Sequence, residues 1–416
     1  MTDRKKLKRV VTCQGGIQLI AAVAALRSRE EEQRNSGAEY EYEDYLVIYE
    51  LFAPHSQLPQ FASAVRKMAE GLQTWKSIVY FSHAQMLEFD AQLTFQTKPQ
   101  VLQRVRELVG VTEPDEVYLC RNWQFGNRLI LNVYRDAWKV CYGDSIGIYF
   151  SEAYFSPEKK NGRPPLKAVV RQQLRQLKHS LRGKLTGHET PLRDVVLDEI
   201  EFDVGYFLLP EILGETPPMQ TRLVNKAKTE EIFRKLARVL DPDQVAAQYG
   251  YLASRLAVIL MTSNFSEASR MSSEKELVAY TEFLEKLQLP RESTLIVKPH
   301  PRDTEAKIQE LGRRLSDMFA DVVLLTDPYL FFTPFEVFLI QAFLSENERT
   351  PRNLKIITFS TACLSLPILF NVRPIIGFGS EIVKASFFED YVTGRIRHEH
   401  DLQSAVQTLA LRVGDA

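Results

Sequence analysis

Short apolar segments alternate with longer helical patterns through most of this 416-residue sequence. The first, Val10 to Thr12, passes through a glycine turn into a helical pattern over 17–26. The same order recurs to about residue 150, and a second series begins at residue 229. Strands that alternate with helices at this spacing predict parallel sheets built from β–α–β crossovers. The sequence therefore predicts an α/β protein.

The stretch 212–223, which is rich in turn-forming residues, separates the two series. Because the chain is too long for one ordinary core, we predict two Rossmann-like domains. The N-terminal domain covers 1–222 and the C-terminal domain covers 223–416. Two such domains suggest the GT-B architecture, in which parallel sheets face a central cleft. Epimerases and two-domain binding proteins remain alternatives, because a fold alone does not give a function.

A basic amphipathic insertion at 158–187 interrupts the first series. Its helical pattern over 166–185 places leucine and valine on one face, with lysine and arginine on the rest and no acidic residue. One interpretation is a solvated surface helix. The other is a helix that lies on an anionic membrane surface, which would make the protein peripheral at the inner membrane.

The composition is typical of a globular protein, with 45% hydrophobic and 25% charged residues. The net charge of −1 argues against extensive nucleic-acid binding, so no nucleic-acid partner is predicted. No apolar run approaches the roughly 20 residues that span a bilayer. A cytoplasmic location is expected.

His300 stands between Pro299 and Pro301 at the carboxyl end of a predicted strand. Open α/β sheets bind ligands at this edge, and the two prolines restrict the backbone that carries the imidazole. Arg302 adds positive charge. A histidine held there could hydrogen-bond to, or protonate, a departing phosphate. The alternative is a histidine that only caps the strand end.

Other strand ends supply further donor-binding candidates. Ser360 and Thr361 lie where a strand becomes a helix, a position that suits phosphate ligands and ordinary N-caps alike. Glu336, in the first turn of an apolar helix, could bind ribose hydroxyls or only favour the helix dipole. Ser263 and Asn264, at the end of another strand, are included as well.

In the N-terminal half, Asp144 and Ser145 lie within a glycine-flanked segment of the predicted strand 138–150. Asp144 suits a general base that faces the cleft, or is simply a turn aspartate. The first β–α turn, at Gln14, Gly15 and Gly16, is a weaker cleft candidate.

No site for a metal or a resident cofactor is predicted. The pair of histidines at 398 and 400 lacks the carboxylate–histidine pattern of a helical metal site and is interpreted as surface residues.

These residues, in this order, resemble the bacterial sialyltransferases and polysialyltransferases. That group carries a [D/E]-[D/E]-G motif after a strand of the N-terminal domain, then His-Pro and a Ser-Ser/Thr pair in the C-terminal domain. The resemblance extends from the opening VVTCQGGIQLIAA to Ser360-Thr361 and is strongest to the polysialyltransferase-like and lipooligosaccharide sialyltransferase families. One departure is that Gly143 and Ser145 flank Asp144, where the family has an acid and a glycine.

The resemblance implies an inverting transfer of sialic acid, or a related nonulosonic acid, from a CMP-sugar to a hydroxyl of a glycan acceptor. It implies an acceptor-binding N-terminal domain and a donor-binding C-terminal domain. Asp144 would be the base, and His300 would act as an acid at the CMP phosphate beside Ser360 and Thr361. A protonated His300 with an ionised Asp144 predicts a bell-shaped pH profile. No metal is expected to be obligatory, since CMP leaves with a single phosphate.

Two alternatives to this reading stay open. One is a Kdo or glycerol-phosphate transferase that uses another cytidine nucleotide in surface polysaccharide synthesis. The other is a non-catalytic protein that binds nucleotide sugars.

Overall fold

A computed structural model describes residues 5–149, 196–209, 217–344 and 354–414. Within these ranges the strands form two sheets, and every strand pairing in both sheets is parallel. This confirms the predicted α/β class and the GT-B type of arrangement, with one parallel sheet from each half of the chain. The basic insertion at 158–187, with its helical pattern over 166–185, lies outside the described residues.

The first sheet has seven strands. Its elements are β1 (Lys5–Cys13), α1 (Gly16–Asn35), β2 (Tyr40–Ile48), α2 (Leu58–Leu72), β3 (Ser77–Tyr80), α3 (His83–Gln92), α4 (Lys98–Val109), β4 (Glu116–Leu119), α5 (Phe125–Val133), β5 (Trp138–Cys141), β6 (Val204–Phe207) and β7 (Gln220–Leu223). The strand order is β3-β2-β1-β4-β5-β6-β7. The order therefore reverses between β1 and β4.

The second sheet has five strands in the order β10-β9-β8-β11-β12. This half contains α6 (Lys226–Val239), α7 (Pro242–Tyr249), β8 (Ala257–Met261), α8 (Ser273–Lys286), β9 (Thr294–Lys298), α9 (Glu305–Ser316), β10 (Asp321–Leu324), α10 (Pro328–Phe332), α11 (Phe335–Phe343), β11 (Leu354–Thr358), α12 (Ser365–Phe370), β12 (Ile375–Ile376), α13 (Ser380–Ser386) and α14 (Glu389–Gly414). Here the order reverses between β8 and β11. Central strands β8 and β9 are buried along their whole length, which explains their continuous apolar sequence.

Several elements differ from the sequence prediction. The strand predicted over 138–150 ends at Cys141, because the chain turns sharply after it. Part of the predicted linker 212–223 is strand β7, which lies at the edge of the first sheet. The histidines at 398 and 400 were both interpreted as surface residues, but His398 is buried in α14 while His400 is exposed.

Helix α6 packs against both halves of the chain. Its buried apolar residues, Ile232, Phe233, Leu236 and Ala237, belong to one apolar cluster with residues of α1 and α11. Lys228 pairs with Glu31 of α1 at 3.3 Å. A domain boundary at 222 and 223 therefore stays a prediction, since the helix that follows it is shared.

Candidate active site

A cavity of about 290 Å³ lies where the carboxyl ends of the two sheets meet. Segments that follow β1, β5, β8, β9 and β11 line it, together with the start of α11. In both sheets the strand order reverses beside these segments, which is where open α/β sheets bind ligands. Among the predicted site residues, the lining contains Gln14, Gly15, Gly16, Asp144, Ser145, His300, Pro301, Glu336, Ser360 and Thr361.

The imidazole of His300 is fixed through Nδ1. The backbone N–H of Arg302 donates to Nδ1 at 3.1 Å, so the neutral ring carries its proton on Nε2. Burial, together with the positive charges of Arg302, Lys307 and Lys298, lowers the pKa of His300 to about 3. The lowered pKa favours a neutral imidazole whose available donor is Nε2–H. The protonated His300 expected from the sequence stays a prediction.

The loop that carries His300 is held from behind by the buried carboxylate of Asp303. The backbone N–H of His300 donates to Asp303 Oδ2 and to Thr262 Oγ1, both at 2.9 Å. The hydroxyl of Thr262 donates to the same Oδ2 at 2.6 Å, and Lys307 Nζ donates to Oδ1 at 2.9 Å. Lys307 also pairs with Glu276 at 2.8 Å. These buried contacts position the histidine backbone without using its ring.

Asp144 is tied to the N-terminal sheet through one oxygen. Its Oδ1 accepts hydrogen bonds from Arg121 Nη2 at 2.6 Å and from Gln18 Nε2 at 2.7 Å. The side chain is 18% exposed, and the residue lines the cavity. Burial raises the pKa of Asp144, whereas Arg121 and Gln18 oppose this shift. The contacts hold one oxygen in place and leave Oδ2 for a substrate.

A tight turn explains the glycine before Asp144. Gly143 has a φ of +78°, and the backbone N–H of Asp144 donates to Ile148 O at 2.6 Å. A Cβ added to Gly143 would lie 2.1 Å from that same oxygen. The position where the resembling enzymes carry an acidic residue can therefore hold only glycine in this turn.

Gly143→Ala is expected to destabilise the protein by about 2–4 kcal/mol, since both the left-handed backbone and the overlap with Ile148 oppose a side chain. The matched control is Gly110→Ala, where φ is +83° and nothing lies within 4 Å of the added Cβ. That control is expected to cost about 1–2 kcal/mol. Urea unfolding of both variants measures the difference. Equal losses would show that the overlap with Ile148 does not matter.

Glu336 is a buried carboxylate with one oxygen unused. Its side chain is 1% exposed, and Oε1 accepts the hydroxyl of Ser365. Oε2 has no hydrogen-bond partner among the described residues. Burial raises the pKa of Glu336, and nearby Lys298 opposes the shift. An unpartnered acceptor that lines a cavity suits a ligand hydroxyl, because leaving it unpaired is costly.

Lys298 also lines the cavity, although the sequence analysis did not select it. Its Nζ donates to the carbonyl oxygens of Leu330 and Phe331 at 2.7 and 2.6 Å. Burial lowers the pKa of Lys298 to about 7, and the negative charges of Glu336 and Asp303 oppose this. Lys298 thereby fixes the end of α10, just before the turn that leads to Glu336.

Ser360 and Thr361 follow β11 and line the cavity. Ser360 Oγ accepts the backbone N–H of Ala362 at 3.4 Å, and Thr361 begins a short 3-10 turn. Ser360 is thus the N-cap that one interpretation predicted. Both hydroxyls still lie on the cavity side of the sheet, where a phosphate ligand would need them.

Three predicted donor-binding residues lie elsewhere. Ser263 and Asn264 do not line this cavity, because the chain has already turned away after Met261 and Thr262. The backbone of Ser263 instead bonds to Tyr280. Arg302 does not line it either.

The guanidinium of Arg302 lies 4.2 Å from the centre of the Phe52 ring, on the opposite side of the cleft. The sequence analysis also missed Arg121 and Gln18. Arg121 follows β4, a position whose importance depends on the strand order, and the strand order is not readable from the sequence.

The sequence matches the family described as Alpha-2,8-polysialyltransferase (POLYST) over residues 18–373. This range includes Asp144, His300, Glu336, Ser360 and Thr361. The chain belongs to this polysialyltransferase family. It is therefore a glycosyltransferase of the sialyltransferase type, and it uses a sugar donor. No curated protein sequence matches the chain.

Solved structures with similar folds share little sequence with this family member. One is the S. aureus MnaA–UDP co-structure, whose sequence is 12% identical to this one. The match covers 99% of this chain and 95% of that chain, with a TM-score of 0.43. The UDP-GlcNAc 2-epimerase of Methanocaldococcus jannaschii, in complex with UDP-GlcNAc and UDP, is 12% identical, with coverages of 98% and 99% and a TM-score of 0.44. The fold assignment rests on the two sheets themselves.

Over residues 5–149, 196–209, 217–344 and 354–414, no three His, Cys, Asp or Glu side chains are grouped to hold a metal ion. No helix in this part of the chain is both long and apolar enough to cross a membrane.

Proposed function

We propose that this enzyme transfers sialic acid from CMP-sialic acid to a glycan hydroxyl, with inversion and without an obligatory metal. The observation that carries the proposal is the shared cavity. It brings Asp144 from the first sheet together with His300, Glu336 and Ser360 from the second. A base from one domain and phosphate-binding groups from the other are what a direct displacement requires.

In the first half of the proposed step, Oδ2 of Asp144 accepts a proton from the hydroxyl group of the acceptor glycan. The hydroxyl oxygen then attacks the anomeric carbon from the face opposite the nucleotide. Arg121 and Gln18 hold Oδ1 so that the carboxylate does not rotate away. General-base assistance of this kind contributes about 10²–10⁴ in rate.

In the second half, the bond between the anomeric carbon and the phosphate oxygen breaks, and its electron pair stays on CMP. The Nε2–H of His300 and the hydroxyls of Ser360 and Thr361 donate to that phosphate. Because the imidazole is neutral, it acts as a hydrogen-bond donor that stabilises developing charge. Only one phosphate leaves, so there is no second phosphate for a divalent cation to bridge. This is the ground for proposing metal independence.

CMP is expected to stabilise the protein in a thermal-unfolding experiment, by about 2.7 kcal/mol at a concentration 100 times its Kd. CDP, UDP and GDP are each measured separately at the same concentration for comparison. Stabilisation by UDP or GDP alone would contradict a cytidine donor, and stabilisation by CDP alone would favour another cytidine-nucleotide transferase.

Oε2 of Glu336, which has no hydrogen-bond partner among the described residues, allows the same experiment to test recognition of the ribose. If Oε2 accepts a ribose hydroxyl, wild-type protein should be stabilised more by CMP than by 2′,3′-dideoxy-CMP. Glu336→Gln should remove most of that difference. Release of CMP from CMP-sialic acid without an acceptor then separates an enzyme from a nucleotide-sugar binding protein.

A further inference from the structure

A small cavity of about 10 Å³ lies in the C-terminal half of the chain. It is lined by Arg270, Phe387, Tyr391, Arg395 and His398, and it shares no lining residue with the candidate active site. A volume of this size accommodates one particle about as large as a water molecule. Nucleotides, sugars and phosphate are too large, so a ligand of this cavity is either a water molecule or a monatomic ion.

Arg395 lines the cavity and has one unused hydrogen-bond donor. Its side chain is only 4% exposed. Nε donates to Glu399 Oε1 at 2.8 Å, and Nη1 donates to the carbonyl oxygen of Phe359 at 3.0 Å. Nη2 is buried and has no hydrogen-bond partner among the described residues. Because a buried N–H group without an acceptor is costly, an acceptor in the adjoining cavity would be stabilising.

The lining of the cavity carries two positive charges. Arg270 and Arg395 each contribute a guanidinium group, and none of the described residues that line the cavity is a carboxylate. Burial, together with the positive charges of Arg395 and Arg302, lowers the pKa of Arg270 to about 10, although Tyr391 opposes this shift. The two guanidinium groups therefore repel each other, and a negative charge in the cavity that both of them line would offset the repulsion.

Two neighbouring side chains do not remove this excess of positive charge. Glu399 pairs with Arg395, but its two oxygens also accept two backbone N–H groups at 3.0 Å, and it does not line the cavity. Burial, together with the charges of Arg395 and Arg270, holds the pKa of His398 well below its ordinary value, so its ring is neutral. With Glu399 counted against the two arginines, one positive charge is left for a monovalent anion to balance.

A chloride ion suits this lining better than a water molecule does. Guanidinium groups donate hydrogen bonds and accept none. A water molecule would have to direct its own two hydrogens to the hydroxyl of Tyr391 or the ring of His398, the other polar side chains that line the cavity. Chloride accepts hydrogen bonds from every direction and also supplies the negative charge.

We propose that this cavity binds one chloride ion, or another monovalent anion of that size, through Arg270 and Arg395. The site does not depend on the proposed function, because it uses none of the residues that carry it. Arg395 nevertheless connects the site to the cleft, since the carbonyl oxygen that it binds belongs to Phe359, directly before Ser360. An anion that holds the guanidinium group in place would therefore also fix the chain where β11 ends.

Replacement of chloride by a large anion tests the proposal on the wild-type protein. Full-length protein in sodium gluconate is titrated with sodium chloride at a constant ionic strength of about 0.15 M, and its thermal unfolding is followed. Gluconate is too large to enter the cavity, so chloride is expected to raise the Tm by about 2–4 °C along a saturating curve. Equal Tm values in the two salts would overturn the proposal, because a cavity that holds water has no preference for chloride.

Removal of one guanidinium group ties the effect to this cavity. Arg270 is partly exposed, so Arg270→Gln removes a charge with little change in packing. The rise in Tm with chloride should disappear in Arg270→Gln and persist in part in Arg270→Lys. The matched control is Arg313→Gln, which removes one positive charge from a 64% exposed side chain on α9, and it should keep the full rise. Equal rises in Arg270→Gln and Arg313→Gln would show a general effect of the salt and sink the assignment.

The line width of the chloride NMR signal gives a second measurement that does not require unfolding. Chloride that exchanges with a protein site relaxes faster, so wild type and Arg313→Gln should broaden the signal more than Arg270→Gln does. If Arg270→Gln does not fold, the wild-type titration decides alone. A wild-type line width equal to that of the buffer would then contradict the anion site.

Discussion

Asp144→Asn is expected to lower kcat for sialyl transfer by about 10²–10⁴, because asparagine cannot accept the proton of the acceptor hydroxyl. The affinity for CMP should stay close to that of wild type, since the predicted phosphate ligands lie on the other sheet. Initial rates with CMP-sialic acid and a saturating acceptor, together with a CMP titration, measure the two quantities separately.

The stability of the Asp144→Asn variant must be measured alongside its activity, because Asp144 also neutralises Arg121. The Arg121 side chain is only 8% exposed, and breaking a buried ion pair from one side costs about 3–5 kcal/mol. The double variant Asp144→Asn/Arg121→Gln removes both charges and should recover much of that stability. Activity should remain lost in the double variant. If it returns with stability, Asp144 has a structural role and is not the base.

His300→Ala is expected to lower kcat by about 10²–10³, the usual effect of removing one donor to a developing oxyanion. His300→Gln should recover part of this loss, because a glutamine amide also offers a neutral N–H donor. A histidine that transfers its own proton would not be replaced in this way. Full activity of His300→Ala, or no difference between the two variants, would contradict the proposed role.

The pH dependence distinguishes the same two roles. The pKa of His300 is held at about 3, so its charge is lost well below neutral pH and its deprotonation produces no fall in rate on the alkaline side. Burial raises the pKa of Asp144, so kcat/KM should rise with pH through an ionisation above the usual range of aspartate. An alkaline fall near pH 6–8 in wild type that disappears in His300→Gln would restore the bell-shaped profile expected from the sequence.

The sequence was sufficient to place His300, Ser360 and Thr361 at the cavity, although it wrongly placed Ser263 and Asn264 there. A strand that runs into Lys298-Pro299-His300-Pro301 places the histidine at the ligand-binding edge of any parallel sheet, whatever the order of the strands. The same reasoning applied to Ser360 and Thr361. Local patterns determine where a strand ends, and the parallel arrangement determines which edge that is.

The contacts behind these residues could not be predicted. Thr304 is the N-cap of α9, whereas Asp303, one residue earlier, accepts the backbone N–H of His300. Arg121 pairs with Asp144 only because β4 and β5 are neighbours in the sheet. The pair of Arg121 and Asp144 joins segments that are distant in sequence, and the roles of Asp303 and Thr304 differ by a single position along the chain. Hydrophobic periodicity contains no information about either.

The turn at Gly143 shows a different limit. Apolar residues on both sides of Asp144 suggested one long strand, although the glycines at 143 and 147 both have positive φ. The isolated pairing of Ser145 with Ile148 closes this turn. What looked like an irregular version of a family motif is a backbone geometry that requires glycine.

Helix α6 also limits how substrates reach the cavity. A rigid-body motion that separated the two sheets would have to expose Ile232, Phe233 and Leu236, which are now buried against one half of the chain. Exposing each such side chain costs about 1.5–3 kcal/mol. We therefore expect that the cleft does not open by free hinging of the two halves. In the proposed reaction, entry of the CMP-sugar and release of CMP should then depend on short loops such as the one at Phe52. Turnover in this enzyme would then be paced by loop motion at the rim rather than by opening of the whole molecule.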